Sequence, residues 1–372
     1  MKVLILTESI AGTGHHKAAE NVAKGILAVY PKAQIQIDTS LSHANPLLEQ
    51  ITSKLYMSTI RHASRLWGWA YQRDQEWSFL GKQVLRKYIA KKLFSYINNQ
   101  APDIIVSTHA FCLGGLAELK QKVSKPFRLG VALTDYCVNP FWIHQEVDHY
   151  FVGAVELKSL MVEKYGVSEA KISVTGIPID PRYTQPFDKR QIRNKLNVDM
   201  EAPLFLVMGG GLGLVPFIDI LKGLALLKNK ISICVITGKN TKAREEIGSW
   251  LLQVSYPHPI QIFDYVTNME EWLNASDLVI GKPGGLTVSE ALACQVPFLI
   301  YKPIPGQEER NSQFLTNSQM ALRINRDSDL PIIIEQFLTD PEKTSVMKER
   351  VAQYSRPDAA YQVGKILCDN LE

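Results

Sequence analysis

A chain of 372 residues is long enough for two hydrophobic cores, and its formal net charge of +4 is too mild to indicate a nucleic-acid partner. Its five cysteines are scattered without Cys-x-x-Cys pairs or metal-ligand spacing, which is typical of reduced thiols in a cytoplasmic protein. The opening MKVLILTES predicts a first strand rather than a signal peptide, and no apolar run is long enough to span a bilayer. Any contact with a membrane is therefore expected at its surface.

Short β-branched runs alternate with helical patterns along the chain, which predicts parallel sheets covered by helices on both faces. The strand candidates are Val3–Leu6, Gln34–Ile37, Ile104–Ser107, Leu129–Leu133, His149–Val152, Ile172–Val174, Leu204–Met208, Ile231–Thr237, Ile260–Phe263, Leu278–Ile280 and Pro297–Ile300. Helices are expected between them, such as Lys17–Tyr30.

The pattern restarts after a stretch rich in proline and charge at residues 176–198. Two Rossmann-like domains are therefore predicted, residues 1–185 and 186–351, facing each other across a cleft. A final helix over Ala352–Leu371 is expected to pack back onto the first domain. Ligands of such sheets bind beyond the carboxyl ends of the strands, so the loops that follow strands are where chemistry is sought.

The loop after the first strand, GTGHHKAAE, contains glycines for a tight turn (Gly14 among them) and His15 at the start of a helix. A histidine at a cleft mouth has a pKa suited to proton removal near neutrality, although local capping is the plainer interpretation. The rest of the chain favours His15 as a general base. Asp135 is predicted to orient it, with a turn-forming role as the alternative, and Trp142 and His144 are predicted to line the acceptor side.

Two loops of the second half are glycine-rich at strand ends. MGGGLG predicts that Gly210 and Gly211 approach a ligand with their backbone amides. In GKPGGLTVSEA, the turn Pro283-Gly284-Gly285 is expected to expose free amides at the positive end of a helix, where a diphosphate binds without a metal. Thr287 adds a hydroxyl.

Three further elements complete the predicted donor site. Glu290 is expected to accept both ribose hydroxyls, against the ordinary reading of a solvated glutamate. The strand end at Phe263 and Val266 offers the backbone N–H and C=O that a uracil edge needs. The helix start in PIPGQEERN supplies Gln307, Glu308 and Asn311 for sugar hydroxyls.

A basic amphipathic helix is predicted over residues 79–97, FLGKQVLRKYIAKKLFSYI, with Arg86 and Lys87 among its cations. Just upstream, Trp67, Trp69 and Trp77 stand between basic residues. Aromatic and basic residues interleaved in this way favour an anionic membrane interface, although packing of the helix on its own domain is a strong alternative for its Leu80–Tyr96 face.

Together these motifs, with VTGIPIDPRY, resemble the monogalactosyldiacylglycerol synthase and bacterial diacylglycerol glucosyltransferase family, which is related to the peptidoglycan N-acetylglucosaminyltransferase. The resemblance implies a GT-B fold (α/β), a UDP-sugar donor, an inverting transfer and a lipid acceptor. It also implies His15 as base, the diphosphate at the two glycine turns, the ribose at Glu290 and the hexose at Gln307–Asn311. Relatives commonly have a basic residue where this chain has Asp180, so either Arg182 or the helix dipole is expected to compensate.

The function predicted is therefore transfer of a hexose from a UDP-sugar to a lipid, with 1,2-diacylglycerol favoured, by an enzyme bound peripherally to the anionic inner face of the cell membrane. Neither a cofactor nor an obligatory metal is expected. Two alternatives stay open: a UDP-GlcNAc-type transferase acting on a polyprenyl-linked or soluble acceptor, and a UDP-sugar-binding regulator without turnover.

Overall fold

The structure is a computed structural model, and it describes residues 1–8, 14–40 and 74–369, except the side chains of residues 74–82 and 85. The chain divides into two compact units. The first contains Met1–Pro181, Pro305–Gln307 and Arg356–Glu372, and the second contains Arg182–Ile304 and Glu308–Ser355. Each unit has one six-stranded parallel sheet.

The first unit alternates strands and helices. They are β1 (Lys2–Thr7), α1 (Gly14–Val29), β2 (Gln34–Thr39), α2 (Asp74–Gln100), β3 (Ile104–Ser107), α3 (Ala110–Leu119), β4 (Arg128–Ala132), β5 (His149–Val152), α4 (Val155–Tyr165) and β6 (Ile172–Val174). The strand order is β2-β1-β3-β4-β5-β6. Alternate residues of β1 enter different cores, because Leu4 and Leu6 pack towards α2 and α3 while Val3 and Ile5 pack towards α1. The sheet is thus buried on both faces.

The second unit follows the same plan. Its elements are α5 (Lys189–Lys195), β7 (Leu204–Met208), α6 (Phe217–Leu224), β8 (Ser232–Ile236), α7 (Thr241–Leu251), β9 (Ile260–Phe263), α8 (Met269–Ala275), β10 (Leu278–Gly281), α9 (Gly285–Ala293), β11 (Phe298–Tyr301), α10 (Gln307–Asn317), β12 (Ala321–Ile324), α11 (Asp329–Thr339) and α12 (Pro341–Gln353). The strand order β12-β11-β10-β7-β8-β9 is that of a Rossmann sheet.

The end of the chain differs from the single helix predicted over Ala352–Leu371. Helix α12 ends at Gln353, and a separate helix, α13, runs from Ala359 to Cys368. Pro357 lies between them and cannot continue a helix, which explains the break. Helix α13 packs on α1 in the first unit, where its residues Val363 and Leu367 join the core formed by Val3 and Ile5.

The strand orders fix where each sheet can bind a ligand. The chain changes direction of winding between β1 and β3 in the first sheet and between β7 and β10 in the second. Ligands of open parallel sheets bind at such a switch point, beyond the carboxyl ends of the strands. The loops that follow β1 and β3, and those that follow β7 and β10, are therefore the candidate site loops of the two units.

Candidate active site

His15 is held in one orientation at the switch point of the first sheet. It lies in the first turn of α1, and only 7% of it is exposed. Its Nδ1 is 3.1 Å from the carbonyl oxygen of Thr108 and 2.7 Å from the hydroxyl of Thr134. A carbonyl oxygen can only accept, so the ring proton lies on Nδ1 and Nε2 keeps its lone pair. The arrangement leaves Nε2 chemically able to take a proton.

The surroundings of His15 favour its neutral form. Burial lowers the pKa of His15, while the charge of Asp135 and the hydrogen bond to Thr108 act in the opposite direction. Asp135 follows β4, as Thr108 follows β3, so neighbouring strand ends bring these residues to one histidine. The two predicted catalytic residues, His15 and Asp135, thus interact electrostatically in the structure.

A second histidine, which the sequence did not single out, lies against the first. The rings of His15 and His109 meet edge to face with centroids 4.6 Å apart. His109 Nδ1 accepts a hydrogen bond from the Phe111 N–H and caps α3. Burial, followed by the charge of His15, keeps the pKa of His109 well below its usual value. Its position directly after β3 was the available signal.

Asp180, at the position where the resemblance implied a basic residue, is buried and paired within the first unit. It is 4% exposed and forms an ion pair of 2.6 Å with Lys24 on α1. Arg182, one of the expected substitutes, is held by Glu270 at 2.8 Å and by the carbonyl of Thr267 at 2.7 Å. Arg182 is thus ion-paired within the second unit, and its compensating role stays a prediction.

The glycine loop after β7 has the backbone shape that was expected of a ligand-binding turn. Gly210 and Gly213 have positive φ angles of 67° and 59°, which favour glycine. A Cβ on Gly213 would lie 2.0 Å from the Thr237 carbonyl oxygen, whereas the space beside Gly210 is open. No residue in the described part of the chain accepts a hydrogen bond from the amide of Gly210 or Gly211. Adjacent backbone amides of this kind, without an acceptor in the protein, bind anions.

The turn before α9 differs in one detail from the prediction. The Gly284 N–H donates to the Lys282 carbonyl oxygen at 2.9 Å, so it is used inside the turn rather than free. Pro283 lies at the centre of that turn and has no N–H to offer. The first paired amide of the helix is that of Val288, which donates to Gly284. The amides of Gly285, Leu286 and Thr287 come before it and form the donor end of the helix.

Glu290 lies half-buried on α9, where its charge acts on the buried hydroxyl of Tyr183, a neighbour that the sequence did not predict. Burial raises the pKa of the Tyr183 hydroxyl well above its usual value, and the charge of Glu290 adds to this effect. Ser289, on the same helix, donates its hydroxyl to the Gly285 carbonyl at 2.8 Å and is not available for phosphate.

The predicted uracil contacts are unequal. The Phe263 carbonyl accepts bonds from both the N–H and the hydroxyl of Thr237, at 2.9 and 3.1 Å, so its capacity is used within the sheet. Val266 lies beyond the strand end and forms no backbone hydrogen bond with the described residues. Of the two residues, Val266 therefore has the available backbone groups, and its contact with a base stays a prediction.

The predicted sugar residues lie together at the start of α10. Gln307 and Glu308 begin that helix, and Asn311 lies one turn later, fully buried, with its side-chain amide 2.9 Å from the Pro283 carbonyl oxygen. Glu308 accepts from Lys282 Nζ at 3.2 Å and from the Ile304 N–H at 2.8 Å. The turns predicted for the sugar and for the diphosphate are thus linked by direct contacts.

Several residues expected at the acceptor or membrane side are used elsewhere. Trp142 is 5% exposed and belongs to the core of the first unit. His144 is buried, its backbone N–H donating to Tyr150 and its ring contacting the Phe141 carbonyl. Both residues are thus buried within the first unit, and their acceptor-lining role stays a prediction.

Arg86 is also committed within its own unit, by ion pairs of 2.7 Å to Glu118 and to Glu146. Trp67 and Trp69 lie outside the described residues. The side chain of Trp77 is likewise outside them, although its backbone lies in α2.

Helix α2 nevertheless presents a basic and apolar surface. Ile89, Leu93 and Ile97 are buried in the core. The opposite side, here called the lysine face, consists of the exposed residues Val84, Lys87, Tyr88, Lys91 and Lys92. Lys92 Nζ lies 5.9 Å from the centre of the Tyr88 ring. No helix in the described ranges combines the length and apolar character needed to cross a bilayer.

Comparisons with known proteins agree with this geometry. The family model of monogalactosyldiacylglycerol (MGDG) synthase matches residues 15–179, and that of the glycosyltransferase family 28 C-terminal domain matches residues 204–363. The processive diacylglycerol beta-glucosyltransferase of Bacillus cytotoxicus is 30% identical over 99% of this chain and 94% of that protein. MurG of Acinetobacter baumannii has a TM-score of 0.65 at 14% identity, over 98% of both chains. Anabaena Alr3699/HepE, solved with UDP, has a TM-score of 0.57 at 13% identity, over 99% of both chains.

Two parallel six-stranded sheets with loop sites at their switch points, together with these likenesses, define a glycosyltransferase of the GT-B fold. The chain belongs to the family that unites MGDG synthase with the processive diacylglycerol beta-glucosyltransferases. The predictions of an α/β GT-B fold, of this family and of an enzyme that transfers a sugar are confirmed.

Proposed function

We propose that this enzyme transfers a hexose from a UDP-sugar to 1,2-diacylglycerol with inversion at the anomeric carbon, while bound to the inner face of the cell membrane. The observation that carries the proposal is the orientation of His15, whose Nδ1 is fixed by Thr108 and Thr134 so that Nε2 can accept a proton. The acceptor is supported by the relatives named as diacylglycerol glucosyltransferases. The donor is supported by the solved relatives of this fold that bind UDP and UDP-glucose.

The proposed step is a direct displacement. The acceptor hydroxyl gives its proton to His15 Nε2 while its oxygen attacks the anomeric carbon from the face opposite the leaving group. The bond between that carbon and the β-phosphate oxygen breaks, and UDP leaves with the electron pair. Asp135, whose charge already raises the pKa of His15, then stabilises the imidazolium that forms.

The second unit supplies the donor site in this proposal. Amides of Gly210 and Gly211 and the amide end of α9, at Gly285, Leu286 and Thr287, stabilise the negative charge that develops on the diphosphate. Glu290 takes the ribose hydroxyls, and Gln307, Glu308 and Asn311 take the hexose. We propose that no metal is obligatory, since backbone amides bind the diphosphate. Turnover that persists in excess EDTA is the expected result.

Membrane contact is proposed through the lysine face. Three lysines beside an exposed valine and tyrosine suit a surface of anionic headgroups, because each lysine near such a surface contributes about 1 kcal/mol. The ring of Tyr88 suits the interfacial region, where aromatic side chains with a polar end are favoured.

The test is a screen of donors and acceptors. UDP-glucose, UDP-galactose and UDP-GlcNAc are each incubated with the enzyme and anionic vesicles that contain diacylglycerol, polyprenyl phosphate or neither, and the lipids are identified by mass spectrometry. The expected product is a hexosyl-diacylglycerol. Transfer of N-acetylglucosamine to the polyprenyl lipid alone would replace the proposal with the first alternative.

A single variant separates the enzyme from a UDP-sugar-binding regulator. His15→Ala is expected to lower turnover by about 10²–10⁴-fold, because a positioned base contributes that much. UDP affinity, measured by calorimetry, is expected to stay within twofold, since the proposed nucleotide site lies in the second unit. A variant that loses UDP binding, or one with undiminished turnover, contradicts the role of His15.

A further inference from the structure

The turn predicted for the diphosphate, at Pro283, and the helix start predicted for the sugar, at Glu308, are joined by a buried lysine that no part of the proposed mechanism uses. Lys282 begins the turn after β10, and its side chain is 8% exposed. Its ammonium group lies 3.2 Å from Oε1 of Glu308 at the start of α10, beyond the neighbouring strand β11. A buried ammonium group is costly unless it is paired, so Lys282 strongly favours this one partner.

We propose that Lys282 is a positioning residue for the hexose, which fixes the carboxylate of Glu308 and so links sugar recognition to the turn that holds the diphosphate. The inference rests on the proposed function, in which Glu308 binds the sugar. It concerns discrimination between UDP and a UDP-hexose rather than the binding of UDP itself.

Both oxygens of Glu308 are held, which is what positioning requires. Oε1 faces Lys282, and Oε2 accepts the Ile304 N–H at 2.8 Å. Each carboxylate oxygen has a second lone pair, so an oriented Glu308 can still accept a sugar hydroxyl. The Asn311 amide, 2.9 Å from the Pro283 carbonyl oxygen, makes a second link between the same two turns.

A neighbouring lysine in the same sequence context provides a matched control. Lys302 also precedes a proline directly after a strand and is also ion-paired, at 2.9 Å to Asp327. Its side chain, however, is 47% exposed, and an exposed pair contributes little. A methionine at position 302 therefore removes a paired lysine without affecting a buried carboxylate.

The experiment measures, by calorimetry, the affinities of UDP and of the UDP-hexose that the donor screen identifies, and it measures kcat and KM with that UDP-hexose. The proteins compared are the wild type, Lys282→Met, Glu308→Gln, Lys302→Met and the double variant Lys282→Met/Glu308→Gln. Lys282→Met is expected to bind UDP within threefold of the wild type, but to bind the UDP-hexose at least tenfold more weakly and to have a higher KM. Lys302→Met is expected to change neither affinity.

The double variant decides whether Lys282 acts through Glu308. Its loss of UDP-hexose affinity is expected to be no greater than the larger of the two single-variant losses, since both substitutions act on one contact. It also removes both charges of the buried pair, so its folding is expected to be preserved if the single variant unfolds.

Equal weakening of UDP and UDP-hexose in Lys282→Met would overturn the proposal and indicate that the lysine contacts the diphosphate or supports the fold. Unchanged discrimination would overturn it as well. A wild type that binds no UDP would instead refute the proposed function, on which this inference rests.

Discussion

His15 and His109 are in ring contact within the first unit but carry their ring protons on different nitrogens. His15 donates from Nδ1 to Thr108, whereas His109 accepts at Nδ1 from Phe111 and therefore carries its proton on Nε2. Burial is the largest cause that lowers the pKa of each ring. Near neutral pH the pair is thus uncharged, with one ring able to accept a proton and the other able to donate a hydrogen bond.

Asp135→Asn is expected to shift the acidic limb of the kcat/KM profile to lower pH. The Asp135 charge raises the pKa of His15, so its removal lets burial lower that pKa further. The plateau at neutral pH should fall, because a less basic imidazole is a weaker proton acceptor and the imidazolium loses its partner. A pH–rate profile between pH 5 and 9 measures both effects, and a limb that stays in place or moves to higher pH contradicts the assignment.

His109→Asn is expected to reduce the loss of stability in mild acid. The folded pKa of His109 lies below its unfolded value near 6.5, so the unfolded state binds more protons and stability falls as pH drops through 6.5. One such group contributes at most about 1.4 kcal/mol per pH unit. Asparagine keeps a helix cap before α3 but does not titrate. Melting temperatures at pH 7.5 should agree closely, whereas at pH 5 the variant should lose less than the wild type.

Candidate residues at strand ends and in glycine turns were easier to propose from the sequence than residues whose partners come from distant segments. Gly210, His15 and Asp135 could be proposed from the sequence because strand ends and turn glycines have local signals. Lys282 and His109 were missed, since their partners Glu308 and His15 are far away in sequence. Nothing local in the sequence shows that Trp142 enters a core or that Arg86 pairs with Glu118 and Glu146.

Helix α2 has an amphipathic pattern that two different roles can explain. The sequence could not decide between membrane contact and packing on its own domain. The structure shows the packing, and it also shows an exposed basic side. Its buried side packs under the sheet through Ile89 and Leu93, and its lysine face is exposed. Apolar residues lie on the exposed side as well as on the buried side, Val84 and Tyr88 among them, so the hydrophobic period alone could not assign the helix to one use.

Replacing Lys87, Lys91 and Lys92 by serine is expected to weaken binding to vesicles rich in anionic lipid by about 10²-fold, at about 1 kcal/mol per lysine. The salt dependence of binding should weaken too. Vesicle sedimentation measures the effect, and calorimetry should show unchanged UDP affinity. The matched control replaces the exposed Lys242, Lys343 and Lys348 of the second unit, and equal losses in both triple variants would exclude a specific role for the lysine face.

Most strands were predicted within one residue because buried parallel strands are short β-branched runs. Strand β12 was missed, since Ala321–Ile324 contains Arg323 and is only partly buried at the sheet edge. The final helix was predicted too long, because its apolar pattern continues across Pro357 although the backbone does not.

At the scale of the whole molecule, the contact of α13 with α1 joins the two ends of the sequence within one unit. The helices approach so closely that a Cβ on Gly25 would lie 1.8 Å from the Ala360 carbonyl oxygen, and one on Gly364 would lie 2.4 Å from the Gly25 carbonyl oxygen. Two glycines thus allow backbone contact, and the apolar residues around them, such as Ile26 and Leu367, are covered.

Gly25→Ala is therefore expected to destabilise the first unit by about 1–3 kcal/mol, as overpacking usually does. Gly248→Ala is the control, since that helical glycine in the second unit has open space around it, and alanine should stabilise it by roughly 0.5–1 kcal/mol. Calorimetric unfolding with and without UDP assigns the transitions, because a ligand at 100 times its Kd stabilises the unit that binds it by about 2.7 kcal/mol. A Gly25→Ala protein that melts like the wild type would show that the contact is looser than described.

In sequence terms the second unit lies between Pro181 and Arg356 of the first, and only Pro305–Gln307 within that stretch belongs to the first unit. A ribosome delivers the chain at about 5–20 residues per second, so the early segments wait on the order of ten seconds or more for the helix that covers them. During that interval Ala19, Val22 and Ile26 of the nascent chain lack their cover and are exposed to chaperones and to premature association. The inserted unit, although translated later, can complete its fold first, so the first unit matures only after the second.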